Sequence, residues 1–219
     1  MPRRYGTVFF DLDGTLLDTA PDLSFALNEV RAEEGLPPLP LAAIRPYVSN
    51  GARGLVAIGF PGAEADPRFE HRRQRLLAVY GANLCCETRL FQGMGGVLDE
   101  IEIRGGKWGV VTNKPAWLTE PLLARLDLRR RMACVVSGDT VARRKPHPDP
   151  LFYAAELAGS PPAECVYVGD TAGDARAARA AGMGMLAAAF GYIAPDDNPQ
   201  SWGADAVIQH PREILAWIH

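Results

Sequence analysis

Asp11 and Asp13 stand two apart at the end of an apolar, β-rich run, residues 5–10 (YGTVFF). In extended chain that spacing puts both side chains on one side. Gly14 follows and lets the backbone leave the strand sharply. Other apolar runs also end in reactive types. Thr112, Asn113 and Lys114 follow KWGVV at 107–111, and Gly169, Asp170 and Asp174 follow CVYV at 165–168. Lys145 lies in the loop after CVVS at 134–137. Two adjacent carboxylates joined by Asp170 concentrate negative charge that a hard divalent cation relieves. An all-oxygen donor set suits Mg²⁺. A lone aspartate at such a place is ordinarily a loop carboxylate or a helix N-cap, and Asp170 fits a cap in part. Three carboxylates from two strand ends are harder to assign that way.

For these side chains to meet, the runs that carry them must lie side by side. The spacing predicts strands at residues 5–10, 107–112, 134–137, 165–168, 184–189 and 206–208, with helical patterns between most of them. Such alternation predicts a parallel sheet covered on both faces. In sheets of that kind, sites form outside the carboxyl ends of the strands. Residues 18–87 differ. Leu23, Ala26, Leu27 and Val30 fall at helical spacing after Pro21, and Gly35, Pro37 and Pro38 end that helix. Further helical stretches cover 41–48, 51–60 and 67–80, punctuated by Asn50-Gly51 and Pro61-Gly62, with no convincing strand. The expected architecture is an α/β core of residues 1–17 and 88–219 with an all-helical insert, residues 18–87.

The 219 residues are 47% hydrophobic and 22% charged, enough for a sizeable core without metal or disulfide staples. A formal net charge of −3 gives no reason to expect nucleic acid or an anionic membrane as partner. The weakly polar run 180–194 is broken by Gly182, Gly184 and Gly191 and is too short to span a bilayer. Arg3 and Arg4 are followed by Asp11 and Asp13, not by the uncharged apolar stretch of a signal peptide. Cys85, Cys86, Cys134 and Cys165 form no Cys-x-x-Cys pair, so they read as reduced thiols of a cytoplasmic protein.

The motifs also carry a resemblance. Asp11-Leu12-Asp13-Gly14-Thr15-Leu16 resembles the first motif of the haloacid dehalogenase (HAD)-like phosphatase superfamily. Val110-Val111-Thr112-Asn113-Lys114 is similar to the second, Lys145-Pro146 to the third, and Gly169-Asp170-Thr171-Ala172-Gly173-Asp174 to the fourth. All four occur in order, and the helical insert resembles that family's cap. The overall pattern is closest to the phosphoglycolate phosphatases. The resemblance implies an α/β fold, a Rossmann-type parallel sheet with an inserted helical cap. It also implies a Mg²⁺-dependent phosphomonoesterase acting through an aspartyl-phosphate on Asp11. Asp13 would be the acid and base, and Thr112, Asn113 and Lys145 would bind the phosphoryl oxygens. Mg²⁺ would be held by Asp11, the Asp13 carbonyl and Asp170, with Asp174 orienting metal-bound water. A phosphomutase of the β-phosphoglucomutase type shares these motifs, and an inactive phosphate-ligand binding module is the reading from another class. The expected partner is a small phosphorylated metabolite, and the expected state is a monomer or weak homodimer.

Other positions have plainer readings beside the functional ones. Lys114 could be a substrate contact or a surface lysine near a helix start. Arg72, Arg73 and Arg75, like Arg129-Arg130-Arg131, read as solvated helix faces. His71, His210 and His219 have no ligand spacing, and His147 matches no catalytic part of the motifs. Asn50, Gly51 and Arg53 form either a plain turn between helices or a lid tip touching substrate. The cap loop and the tail, Gly191-Tyr192-Ile193 through Trp202-Gly203-Ala204-Asp205, are similar to a branch that dephosphorylates N-acetylmuramic acid 6-phosphate. That ester and 2-phosphoglycolate both carry a carboxylate, which an arginine would recognise.

Overall fold

The computed structural model describes residues 4–62 and 65–219. All six expected strand regions form a single parallel sheet. In chain order its strands are β1 (Thr7–Phe10), β4 (Lys107–Val111), β5 (Val135–Val136), β6 (Cys165–Gly169), β7 (Gly184–Ala188) and β8 (Ala206–Ile208). In space the order is β5-β4-β1-β6-β7-β8. The chain starts in the middle, builds outward through β4 and β5, then returns to the other side of β1. The strand order therefore reverses at β1, and the crevice at its carboxyl end is where such a sheet binds ligands. The first strand is shorter than the apolar run: Tyr5 lies outside it, in an isolated bridge to Ile218.

Each strand alternates between two cores. Val8, Phe10, Val110, Val166, Val168 and Leu186 pack on one face with helix α5 (Met94–Ile103) and helix α6 (Ala116–Arg125). Phe9, Val111, Tyr167 and Ala187 pack on the other with α7 (Asp149–Ala158) and α8 (Ala172–Ala181). Both faces are buried, so the strands read as continuous apolar runs and not as alternating ones.

A third cluster belongs to the helices between the first two sheet strands. These are α1 (Ala20–Glu33), α2 (Leu41–Ile44), α3 (Gly51–Gly59) and α4 (Phe69–Ala82). Leu27, Val30, Leu55, Val56, Leu76 and Tyr80 form its centre. The helix expected over 41–48 is split: α2 covers four residues, and Arg45–Asn50 continues as a 3₁₀ turn with Pro46 near its start. Proline supplies no amide for an α-helical bond there.

Two short strands invisible to the sequence reading mark where the chain passes between the helices and the sheet. β2 (Leu17–Asp18) and β3 (Arg89–Leu90) pair antiparallel. Asp22, in the first turn of α1, accepts the amides of Glu87 and Thr88 and the Thr88 hydroxyl, at 2.8, 3.1 and 2.7 Å. The outgoing and returning chains are thus clamped together. Arg72 is not the solvated side chain expected. It is buried, bonds Glu34 at 2.6 Å and Asp66 at 3.0 Å, and stacks on Phe60. Its aliphatic stem completes the helical core while its head stays paired.

Candidate active site

Four strand ends meet in one cavity of about 620 Å³. β1 delivers Asp11 and Asp13, β4 delivers Thr112, Asn113 and Lys114, β6 delivers Thr171 and Asp174, and the loop after β5 delivers Lys145. From the helical side come Ser49, Asn50, Gly51 and Arg53. Every candidate catalytic, binding or metal residue named from the sequence except Asp170 lines this space, and Asp170 is buried.

Lys145 holds the centre. Its ammonium lies 3.1 Å from Asp11 Oδ1 and 2.8 Å from Asp174 Oδ1, and it donates to the Tyr167 hydroxyl at 2.6 Å. Burial alone would lower the lysine pKa, but Asp11 and Asp174 outweigh it and the value is raised, so the charge persists. The Leu12 amide also donates to Asp11 Oδ1, at 2.7 Å. Among the described residues no hydrogen bond reaches Asp11 Oδ2, which is left to act on a ligand. Burial pushes Asp11 up to about 6, against the pull of Lys145. Burial also raises Asp170 well above the carboxylate range, with Asp11 and Asp174 adding to it.

Those shifts express burial first and neighbouring negative charge second. One oxygen each from Asp11, Asp170 and Asp174 lies within 4.8 Å of the others. An all-carboxylate donor set of this size fits a hard divalent ion. Asp174 is the least available of the three. Its Oδ2 accepts the Thr171 amide and hydroxyl at 3.0 and 2.6 Å, and its Oδ1 accepts Lys145 and Tyr167. Thr171 and Asp174 form a capping box at the start of α8. The N-cap is therefore Thr171 and not Asp170.

Close approach explains the glycines. Gly14 has φ +83°, and a Cβ there would lie 2.0 Å from Asp170 Oδ2. A Cβ on Gly191 would lie 2.3 Å from the Gly14 carbonyl and 2.5 Å from Asp170 Cβ. Only glycine lets the two backbones close over this carboxylate.

The second half of the site surrounds Asp13. Thr19 Oγ1 donates to its Oδ1 at 2.6 Å, and Lys114 lies 3.0 Å from the same oxygen. Lys114 is buried, not on the surface, and its ammonium lies 4.3 Å from the centre of the Tyr80 ring. Burial raises the Tyr80 pKa to about 12, with Lys114 opposing. Thr112 is buried and accepts the Lys114 amide through its hydroxyl oxygen, at 3.2 Å, which leaves its proton for a ligand. Asn113 donates to the Lys145 carbonyl at 3.0 Å and so ties the two loops together.

On the helical side, Asn50 and Gly51 border the cavity, and the Arg53 guanidinium stacks 4.9 Å from the Phe69 ring. The tail contributes one residue near the site. Tyr192 accepts the Thr19 and Ala20 amides through its hydroxyl, at 2.7 and 2.9 Å, and donates to Asp18 at 2.8 Å. Trp202 turns away into the sheet core, its indole bonded to Asp197 at 2.8 Å. None of residues 193–205 lines the cavity. The sequence reading missed Ser49, Thr19, Tyr167 and the local role of Tyr192. Tyr167 had a signal, a polar-tipped ring inside a strand of apolar residues. Thr171 and Asp174 had one too, the Thr-x-x-acidic pattern of a capping box.

The model of the family "Haloacid dehalogenase-like hydrolase" matches residues 8–188. A protein of Xanthomonas campestris pv. campestris named phosphoglycolate phosphatase is 45% identical over 213 residues, covering 96% of each chain. A Pseudomonas aeruginosa protein named N-acetylmuramic acid 6-phosphate phosphatase is 42% identical, covering 97% of this chain and 94% of that one. The crystal structure of a predicted phosphoglycolate phosphatase from Haemophilus somnus superposes with a TM-score of 0.85, at 27% identity and 97% coverage of both chains.

Proposed function

The chain belongs to the haloacid dehalogenase-like hydrolases, and from that membership we propose that it is a Mg²⁺-dependent phosphomonoesterase for a small, carboxylate-bearing phosphate ester. The observation that carries this reading is Lys145 held between Asp11 and Asp174 in a cavity that also receives Asp13. A lysine so fixed orients Asp11, and the hydrogen-bond-free oxygen of that carboxylate faces incoming phosphorus.

Asp11 Oδ2 attacks phosphorus, the ester oxygen leaves with a proton from Asp13, and an aspartyl-phosphate remains. Asp13 then takes a proton from the water that attacks this phosphorus, restoring Asp11 and releasing inorganic phosphate. Lys145, Thr112 and Asn113 face the phosphoryl oxygens and stabilise their charge. Lys114 is drawn from Asp13 to the arriving phosphate, which frees an Asp13 oxygen for the ester. Asp11, Asp170 and the Asp13 carbonyl would hold a divalent ion, which would supply charge neutralisation at phosphorus. The four hydrogen bonds on Asp174 favour its acting through Lys145.

The proposed division of labour is a core of residues 1–17 and 88–219 for chemistry and a cap of residues 18–87 for recognition. The β2–β3 pair and the Asp22 clamp support it as the crossing point. Residues 1–3 and 63–64 of those segments lie outside the described residues. Asn50, Gly51 and Arg53 are proposed to hold the alcohol part, with Arg53 on the carboxylate. The cavity is the size of a site for a sugar derivative, and a two-carbon ester would leave most of it to water. We therefore favour the sugar phosphate, N-acetylmuramic acid 6-phosphate, over 2-phosphoglycolate. Four free cysteines support a cytoplasmic setting, and we take the protein to be a monomer or weak homodimer. Among the described residues no helix is long and apolar enough to cross a membrane.

The test is kcat/KM for both esters and for p-nitrophenyl phosphate, with and without Mg²⁺. Metal-dependent release of phosphate is expected. A kcat/KM about tenfold higher for 2-phosphoglycolate, or about 1.4 kcal/mol, would overturn the substrate preference. No release from any ester would overturn the enzyme reading.

A further inference from the structure

Asp170 is held by the cap. Its Oδ2 accepts the Ser49 hydroxyl at 2.7 Å and the Tyr192 amide at 2.9 Å. Among the described residues its Oδ1 accepts only Thr15 Oγ1, at a long 3.3 Å. Oδ2 also lies close against the Gly14 backbone, where a Cβ would come within 2.0 Å of it. One oxygen is therefore enclosed by protein, and the other is the less occupied of the two.

Ser49 comes from the 3₁₀ turn Arg45–Asn50, 121 residues from Asp170 in sequence. Its oxygen lies 3.5 Å from the Asp13 carbonyl as well, so it reaches both donors assigned to the ion outside Asp11. The same turn is anchored at its other end. Arg45 pairs with Asp18 at 2.7 Å and lies 5.3 Å from the centre of the Tyr192 ring. Tyr192 completes the loop: its amide holds Asp170, and its hydroxyl holds the start of α1. The cap turn and the carboxylate thus share one hydrogen-bonded frame.

We infer that Ser49 is a positioning residue that fixes the Asp170 carboxylate when the cap sits on the core, so that cap position and divalent-ion affinity are coupled. This rests on the metal seat proposed above. A group that orients a metal ligand from behind typically contributes 10–100-fold in affinity. Coupling is reciprocal: whatever the cap adds to ion affinity, the ion adds to cap closure.

The experiment is calorimetric titration of EDTA-stripped protein with Mg²⁺, without substrate. Ser49→Ala is expected to weaken binding about tenfold, and Ser49→Thr, which keeps the hydroxyl, to restore most of it. Amide exchange over residues 45–50 should slow on adding Mg²⁺ to wild type and not to Ser49→Ala. Unchanged affinity in a folded Ser49→Ala protein, judged by its melting curve, would overturn the inference, as would tighter binding, which would make the hydroxyl a competitor. Wild type that binds no Mg²⁺ would instead overturn the metal reading beneath it.

Discussion

The two walls of the cavity are built differently. The core wall is made of side chains from the ends of sheet strands and the loops that follow them. Asp11, Thr112 and Lys145 are buried, and their partners are backbone amides or other buried groups. The cap wall presents Asn50, Gly51 and Arg53, all exposed at the cavity. Arg53 leans on an aromatic ring and makes no ion pair among the described residues. A preorganised wall suits charge that develops in a transition state. A looser wall suits recognition, since it can rearrange as substrate enters. The contrast predicts that core substitutions cost turnover on every substrate, and that cap substitutions cost it selectively.

The harshest test is Asp11→Asn. The side chain is nearly isosteric but is no nucleophile, so turnover should vanish on all esters while the melting curve keeps its cooperative form. Activity surviving in that variant, or after removal of Mg²⁺ with EDTA, would break the mechanism. Asp13→Asn should divide substrates by leaving group. Loss on alkyl phosphates should reach roughly 10²–10⁴-fold, and far less on p-nitrophenyl phosphate, whose aryl oxide departs without a proton. Equal losses would assign Asp13 another task.

Arg53→Ala should lower kcat/KM about tenfold or more on a carboxylate-bearing ester, the worth of one charge-assisted hydrogen bond. It should barely touch p-nitrophenyl phosphate. Comparable losses on both would place Arg53 in cap folding or closure. The smallest catalytic effect is expected from Arg72→Ala. It removes a buried guanidinium from two carboxylates and from Phe60. A melting temperature lower by about 5 °C with unchanged p-nitrophenyl phosphate turnover at room temperature would separate cap stability from core chemistry. A large drop in turnover would show the two walls to be less independent than their construction suggests.

Much of the core wall was legible in the chain. A short apolar run ending in Asp-x-Asp-Gly can be located by eye, because strand, turn and side-chain direction are all local. The six sheet strands were found for the same reason. The two-residue strands β2 and β3 were not, since neither has a pattern of its own and each exists only through the other. Arg72 reads as a surface residue, and Lys114 as either a substrate contact or a surface lysine, because charge in a sequence says nothing about what will cover it. Lys114 is covered by Tyr80 of α4, and Arg72 by Phe60 and the end of α1.

By itself, then, the chain determined the parallel α/β sheet, the helical insert, and the set of side chains offered at the strand ends. Those follow from hydrophobic period and from turn chemistry, which act over a few residues. Only the tertiary structure decided which oxygens of Asp11 and Asp170 are occupied, that Asp174 serves Lys145 and a helix start, and that Ser49 reaches Asp170 across 121 residues. It also decided that Tyr192, 174 residues from Asp18, joins the tail to the base of the cap. These are bonds between segments brought together by packing, and a hydroxyl or carboxylate carries no mark in the sequence of the distant partner that burial will give it.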